Sequence, residues 1–295
     1  MAHLHHGTMD SFGTSYGTQV LLTLLVVFIA LVYIRGWLLL RETSANVIAP
    51  WRAASFLLGL FLIGIAVASP IAALDHELLT AHMVQHLLLM TLAPPLIWLS
   101  APLKPLLHGL PRQFAQEIVV PMFRSPLLTR LCGSLAQPKF CWLAAAAVLV
   151  GWHIPAAFAL GMHSEAWHAV EQASFLAVGL LFWWPVVQPW PSISRPDWSI
   201  IVYLFLATLP CDILSGFLVF CDRVVYPAYS SSPQPFGFSA LADQQCAGAL
   251  MWTCVTIVYL VAGTILATQL LSPQSFRKDE VVTVAQRVMQ NIEAL

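Results

Sequence analysis

The chain has 295 residues, of which 59 % are hydrophobic and 9 % are charged, and its formal net charge is −1. This composition is typical of a polytopic membrane protein and excludes an ordinary soluble domain. The sequence has no long basic block that would indicate nucleic-acid binding. It also lacks a Gly-rich phosphate loop and the Ser-His-Asp spacing of a soluble hydrolase.

Seven apolar runs follow one another along the chain, and each offers about the 20 residues that a helix needs to cross a bilayer. They cover approximately residues 18–40, 51–73, 77–98, 139–160, 166–187, 199–220 and 243–271. We therefore predict an all-α protein whose seven transmembrane helices form one membrane domain over residues 18–271. A polar, His-rich tail (1–17) precedes this domain and a short tail (272–295) follows it. The amphipathic, proline-punctuated segment of about 101–138 is expected to lie along the membrane interface.

The basic residues predict the orientation of these helices. If the helices alternate, nearly all basic residues fall on one side of the membrane. They are Arg35, Arg41, Arg52, Lys104, Arg112, Arg124, Arg130, Lys139, Arg195, Arg277, Lys278 and Arg287, with Arg223 alone on the other side. The positive-inside rule then places the N-terminus outside and the C-terminus in the cytoplasm.

The motif His82-Met83-Val84-Gln85-His86 stands inside the third apolar run. A helix places His82 and His86 on one face, about 5–6 Å apart at Cβ, and Met90 extends that face by one turn. A lone histidine in a helix bundle is more often satisfied by neighbouring backbone groups. Ionisable groups at membrane depth are rare and usually functional, so a matched pair indicates a ligand site.

Other polar and sulfur-bearing residues are predicted to reach the same level, in the outer half of the membrane. They are His153, His168, Gln172, Asp243, Gln244 and Met251. We predict one shared site between the helices, although apolar helices must also keep their few polar residues together somewhere. Asp212 in the sixth run is expected to face the same interior, because a carboxylate costs about 2–3 kcal/mol near mid-membrane.

The residue types favour copper as the ligand. Imidazole suits copper, zinc, iron and nickel, whereas thioether selects Cu(I). The predicted metal ligands are His82, His86, His153, His168, Met90 and Met251. Polar residues around the ligands would orient the imidazoles through hydrogen bonds. They are Gln85, Gln172, Asp243, Gln244 and Asp212.

Two further groups are candidates for accessory ligands. His3, His5 and His6 in the first tail would form a mobile collecting arm for copper, and an unstructured leader without a task explains them equally well. Cys221 and Cys246 are expected near the outer face, either as soft ligands or as a disulfide. The cysteines form no CxxC pair, so a zinc ribbon or a thioredoxin-like site has no support.

Four segments together resemble the CtaG family, which are seven-helix bacterial membrane proteins associated with assembly of cytochrome c oxidase. The segments are HMVQHLLLMTLAPPL, WHIPAAF, WHAVEQASF running on to FWWPV, and DQQCAGALMW. The resemblance implies a non-catalytic role in maturing the copper centres of haem-copper oxidases, with Cu(I) handled at the outer face of the bacterial cytoplasmic (inner) membrane. It implies oxidase subunits, and other copper chaperones, as partners.

The resemblance also bears on individual residues. His82, His86, His153, His168 and the Asp243-Gln244 pair match motif positions of the family. The family often has a second histidine four residues after the position of His168, where this chain has Gln172. Cys246 within the last motif is also unusual, and is a candidate replacement ligand.

Two other functional classes stay open. In the first, His82 or His86 and His168 form the axial pair of a membrane haem in an electron carrier. Against this, the third run is rich in Leu and Met near the histidines, where a porphyrin usually requires small residues. The other class is a copper permease, which we rank behind both the assembly factor and the haem protein. The inner half of the membrane would offer a crossing ion few ligands, since His108 is the only histidine predicted to lie there.

Overall fold

A computed structural model describes residues 6–43, 49–69, 72, 74–119, 121–122, 125–187, 198–230, 237 and 239–272, with the backbone alone for residues 6–16, 18 and 129. Throughout these residues the chain forms helices joined by turns and loops, without a β-strand. The predicted all-α fold is therefore confirmed. His3, His5, Arg195 and the predicted second tail beyond residue 272 lie outside the described residues.

The described helices are numbered here in chain order. They are α1 (His6–Thr43), α2 (Pro50–Ala68), α3 (Leu79–Leu99), α4 (Leu103–Gly109), α5 (Arg112–Phe114), α6 (Pro126–Leu135), α7 (Pro138–His153), α8 (Pro155–His163), α9 (Glu165–Val187), α10 (Trp198–Phe220) and α11 (Ala240–Leu271). A π-helical turn at Ala115–Val119 follows α5, and a 3-10 turn at Pro227–Ser230 lies between α10 and α11.

The long helices make this a multi-pass membrane protein. Six of the described helices are long and apolar enough to cross a membrane, namely α2, α3, α9, α10, α11 and the Gln19–Glu42 part of α1. A seventh span results if α6 and α7, which are bent by 68° at their junction, are counted together. The segment predicted to lie at the interface forms α4, α5 and α6, and its position relative to the bilayer stays a prediction.

One helix extends beyond its predicted span, and one predicted helix boundary is wrong. The predicted first transmembrane helix, about 18–40, agrees with the apolar span Gln19–Glu42, and α1 continues it back to His6 through the predicted tail. The fourth predicted helix does not run to residue 160, because α7 ends at His153. Ile154 has φ −64° and ψ 127°, and Pro155 then begins α8. A residue before proline disfavours the α conformation, and proline has no N–H to continue the ladder.

Helix α3 lies at the centre of the largest core, against α9 and α11. It is π-helical from Leu87 to Leu92. Pro94 has no N–H for the carbonyl of Met90, and the indole of Trp183 donates to that carbonyl instead, at 3.2 Å. π-helical segments within α-helices are frequently found at functional sites. This one begins directly after His86.

The start of α3 is held by α11. The carboxylate of Asp243 accepts hydrogen bonds from Leu79 N at 2.6 Å and Thr80 N at 3.1 Å, two of the N–H groups that a helix start leaves without partners. Gln244 accepts from Val225 N at 2.7 Å and donates to Arg223 O, which ties the loop after α10 to α11. In the structure both side chains bind backbone groups, and their predicted role in orienting imidazoles stays a prediction.

Candidate metal centre

Two histidines and one carboxylate meet between α3 and α9. His82 and His86 lie one turn apart on α3, with their Nε2 atoms separated by 2.8 Å. Glu171 of α9 brings its Oε1 to 3.4 Å from His82 Nε2 and to 3.3 Å from His86 Nε2. The exposed fractions of the three residues are 1 %, 5 % and 1 %. We call this group the buried cluster.

Two of the three distances between donor atoms in the buried cluster, 3.3 and 3.4 Å, match those between the ligands of one cation, and the third, 2.8 Å between the two Nε2 atoms, is that of a hydrogen bond. A tetrahedral ion with bonds of about 2.0 Å holds its ligand atoms about 3.3 Å apart. Apart from the hydrogen bond between the two imidazoles, the cluster leaves polar atoms without partners: His82 Nδ1, His86 Nδ1 and Glu171 Oε1 are buried with no hydrogen bond among the described residues. A buried carboxylate is costly unless a positive charge balances it. A bound cation, or a proton shared with the imidazoles, supplies that balance.

His153 at the end of α7 adds a second pair of donors beside the buried cluster. Its Nδ1 lies 2.7 Å from the carbonyl of Leu149, so this nitrogen carries the hydrogen. In the neutral ring, Nε2 then presents a lone pair. That atom faces the thioether sulfur of Met83 at 3.4 Å. Since the sulfur has no proton to donate, two electron-pair donors face each other across a gap that suits a soft cation.

His168 belongs to a different group from the one predicted. Its Nε2 lies 3.4 Å from Oδ2 of Asp75, in the turn before α3, and His76 Nε2 lies 3.6 Å from Asp75 Oδ1. We call Asp75, His76 and His168 the rim cluster. The ring of His168 stacks on the ring of His82, with 5.6 Å between centroids. The predicted single site is thus divided into two adjacent clusters.

The two predicted amides of the site lie between these clusters. Gln172 Nε2 is 3.3 Å from His168 Nε2 and donates to Gln85 Oε1 at 3.4 Å. Gln172 therefore contacts an imidazole, as the prediction of an orienting role requires. Gln85 is fully buried, and no hydrogen bond joins it to an imidazole within the described part of the chain.

A cavity of about 40 Å³ extends from the buried cluster into the apolar core. That volume holds roughly three water molecules. Its wall includes His86 and His153, and four sulfur-bearing side chains, which are Met83, Met90, Cys211 and Met251. The predicted ligands Met90 and Met251 thus line a chamber next to the histidines. Neither sulfur makes a hydrogen bond to an imidazole among the described residues.

Glu171 is the main residue of the site that the sequence analysis does not single out. It is buried because Gly161 of α8 leaves space for it: an added Cβ there would lie 2.7 Å from Glu171 Oε2. The helical spacing contains a signal for it. His168, Glu171 and Phe175 follow at i, i+3 and i+7 on one face of α9, and the Phe175 ring stacks on His86 at 4.0 Å.

The remaining predicted residues lie elsewhere or are incompletely described. Cys246 is exposed on α11, and Cys221 is half-buried; both thiols are free, so no disulfide joins them. Asp212 buries its Oδ1 without a hydrogen-bond partner in the described regions. It does not line the cavity, although its neighbour Cys211 does. For His6 the structure gives only a place in the first turn of α1.

Comparison with known proteins identifies the family. The family model described as "Cytochrome c oxidase caa3 assembly factor (Caa3_CtaG)" matches residues 31–272, which is most of the chain. The matched region includes both clusters, the cavity and helices α2 to α11. No curated protein and no solved structure gives a significant match. The resemblance of the four sequence segments is thereby confirmed, and the chain belongs to the CtaG family of cytochrome c oxidase caa3 assembly factors.

Proposed function

We propose that this assembly factor holds copper as Cu(I) and releases it for an oxidase copper centre. The observation that carries the proposal is the buried cluster, in which two imidazole nitrogens and one carboxylate oxygen lie within 3.4 Å of one another. Imidazole is a ligand of choice for copper. The role is one of binding and delivery rather than bond-making.

The charge of the buried cluster supports a monovalent ion. Two neutral imidazoles and one ionised carboxylate carry a net charge of −1. One Cu(I) brings the sum to zero, whereas a divalent ion leaves an excess positive charge in an apolar bundle, where an unbalanced charge is costly. By net charge alone, the cluster is therefore better matched to Cu(I) than to a divalent ion.

The surroundings of the cluster support release as well as binding. Met83 and His153 lie next to it, and the adjoining cavity is lined by further sulfur atoms. Thioethers are weak, soft ligands that favour Cu(I). An ion with imidazoles on one side and thioethers on the other can exchange its ligands one at a time. It does not have to lose all of its ligands in a single step.

The proposal includes the face at which copper is handled. Under the positive-inside rule, the end of the bundle that carries both clusters faces outward. Asp75 and His76 lie in the turn before α3, at that same end, and the His76 side chain is half exposed. In this orientation the ion would be accessible from the outer side of the membrane. The partners that would take it up or supply it there are oxidase subunits and other copper chaperones.

The geometry gives the haem alternative less support. An axial pair must point two Nε2 atoms at an iron that lies between them, but His82 and His168 stack face to face at 5.6 Å with an angle of 16° between their planes.

The test compares Glu171→Gln with the wild type in purified, untagged protein and in cells. The variant should lose about tenfold or more in Cu(I) affinity, measured anaerobically by competition with bathocuproine disulfonate, since about 1.4 kcal/mol corresponds to a factor of ten. In cells grown at limiting copper, it should leave oxidase polypeptides and haem present but copper-deficient. Added copper should partly restore activity. Unchanged affinity together with a fully copper-loaded oxidase would refute the proposal.

A further inference from the structure

The rim cluster repeats the donor set of the buried cluster. Each group offers two imidazoles and one carboxylate, and in each the three ligand atoms lie within 4.8 Å of one another. The two groups differ in access. The side chains of the buried cluster are almost fully enclosed, whereas the His76 side chain is 50 % exposed.

Asp75 presents an unused oxygen in the rim cluster. Its side chain is 3 % exposed, and Oδ1 has no hydrogen-bond partner among the described residues. The turn that carries it is held in place, because the Tyr229 hydroxyl donates to the backbone carbonyl of Asp75 at 2.7 Å. A buried carboxylate oxygen thus faces a half-exposed imidazole at 3.6 Å, and the imidazole is the side of this pair that reaches solvent.

His168 connects the two clusters. Its Nε2 lies 3.4 Å from Asp75 Oδ2, while its ring lies against the ring of His82. Gln172, one turn further along α9, contacts His168 and reaches Gln85 of α3. An ion that leaves the rim cluster therefore has the polar side chains of His168 and Gln172 beside it on its way to His82.

We infer that the rim cluster is a second Cu(I) site, through which the ion passes between solvent and the buried cluster. This inference rests on the proposed function. The step is a ligand exchange: bonds from copper to Asp75 and His76 break as bonds to His82 and His86 form. Both clusters balance one positive charge, so the passage needs neither an electron nor a change in net charge.

The experiment uses the full-length, untagged protein in detergent under anaerobic conditions. Cu(I) is supplied as its bathocuproine disulfonate complex, and the loss of that complex's absorbance gives both the number of ions bound and the loading rate. The variants are His76→Ala, His76→Gln and Glu171→Gln. His163→Ala is the matched control, because His163 is an exposed histidine at the end of α8, outside both clusters. The N-terminal histidines are common to all variants and cancel in the comparison.

Each His76 variant should bind one Cu(I) fewer than the wild type and load the remaining ions about tenfold more slowly. At a competitor concentration that just leaves the wild-type buried cluster loaded, the weaker-binding Glu171→Gln should also bind one ion fewer, while His163→Ala should match the wild type. Wild-type stoichiometry and rate in both His76 variants would overturn the rim site and leave the proposed function standing if Glu171→Gln still loses its ion. Full binding by Glu171→Gln would instead overturn the proposed function, and this inference with it.

Discussion

Gly161 of α8 and Glu171 of α9 lie so close that the glycine determines where the carboxylate sits. A Cβ added at Gly161 would lie 2.7 Å from Oε2 of Glu171 and 3.6 Å from its Cδ. The other oxygen, Oε1, is the one that faces the two imidazoles. The packing of α8 on α9 therefore sets the geometry of the buried cluster.

Gly161→Ala should consequently weaken copper binding more than it weakens the fold. The atom that must move is at the end of a side chain, so the backbone need not shift, and the loss in stability should stay near the lower end of the 1–3 kcal/mol typical of overpacking. Displacing the carboxylate should lower Cu(I) affinity by about tenfold or more. Both quantities are measurable on one preparation, by Cu(I) competition and by thermal unfolding in detergent.

Gly151→Ala is the matched control for this prediction. Gly151 lies in α7, and a Cβ there would meet nothing within 4 Å. Alanine is favoured over glycine inside a helix by up to about 1 kcal/mol. The control should therefore keep wild-type affinity and unfold at the same temperature or slightly higher. Equal affinity losses in both variants would contradict the role of the Gly161 contact.

Asp243→Asn should destabilise the protein without removing its copper. The carboxylate caps α3 through Leu79 N and Thr80 N, and both an N-cap and a negative charge at a helix start stabilise the helix. We expect a loss of about 1–2 kcal/mol and a lower unfolding midpoint, with Cu(I) stoichiometry retained. Gln245→Ala, at the exposed position two residues on, is the control. Loss of an ion at unchanged stability would support the predicted orienting role instead.

The sequence predicts the helices better than it predicts the site. Apolar runs and prolines locate most of the spans to within a few residues, because bilayer thickness and hydrogen bonding both constrain a membrane helix. The length of an apolar run does not show where a helix breaks. Hydropathy alone therefore predicts that α7 continues past Ile154, whereas the helix ends at His153. The polar start of α1 gave no helical signal comparable to an apolar run.

Only part of the site follows from the sequence. The sequence gives the depth of a residue along its own helix, but it does not show which helices pack together. In the structure the rings of His82, His86 and His153 lie close together, with centroids 4.4 Å apart for His82 and His86 and 6.2 Å apart for His86 and His153. Depth along a helix does not single out Glu171, since it cannot show that α8 packs over the first turns of α9 and encloses the side chain. It also cannot tell which neighbour a polar group will meet. Asp243 lies at the expected level, yet the nearby start of α3 takes both of its oxygens.

Trp183→Phe should loosen the π-helical part of α3. The indole is the donor that replaces the missing N–H of Pro94 at the Met90 carbonyl. Removing it leaves a buried carbonyl without that partner, which typically costs about 1–3 kcal/mol. The amides around Leu87–Leu92 should then exchange with solvent faster, as hydrogen exchange with mass spectrometry would show. Trp184→Phe is the control, because the Trp184 side chain lies on the same helix but is more exposed. This variant should affect hydrogen exchange of the Leu87–Leu92 amides much less.

Tyr229 makes the rim cluster sensitive to alkaline pH. Burial raises the pKa of this loop tyrosine well above 10, and the nearby carboxylate of Asp75 raises it further. Because the folded-state pKa exceeds the unfolded value, the stabilising contribution of the neutral hydroxyl is complete below about pH 10 and declines as the pH rises above it. Unfolding midpoints of the wild type should therefore fall more steeply above pH 10 than those of Tyr229→Phe. The variant should already start lower at pH 7, since it lacks the donor to the Asp75 carbonyl. Parallel pH profiles for the two proteins would show that the hydroxyl does not hold the turn that carries Asp75 and His76.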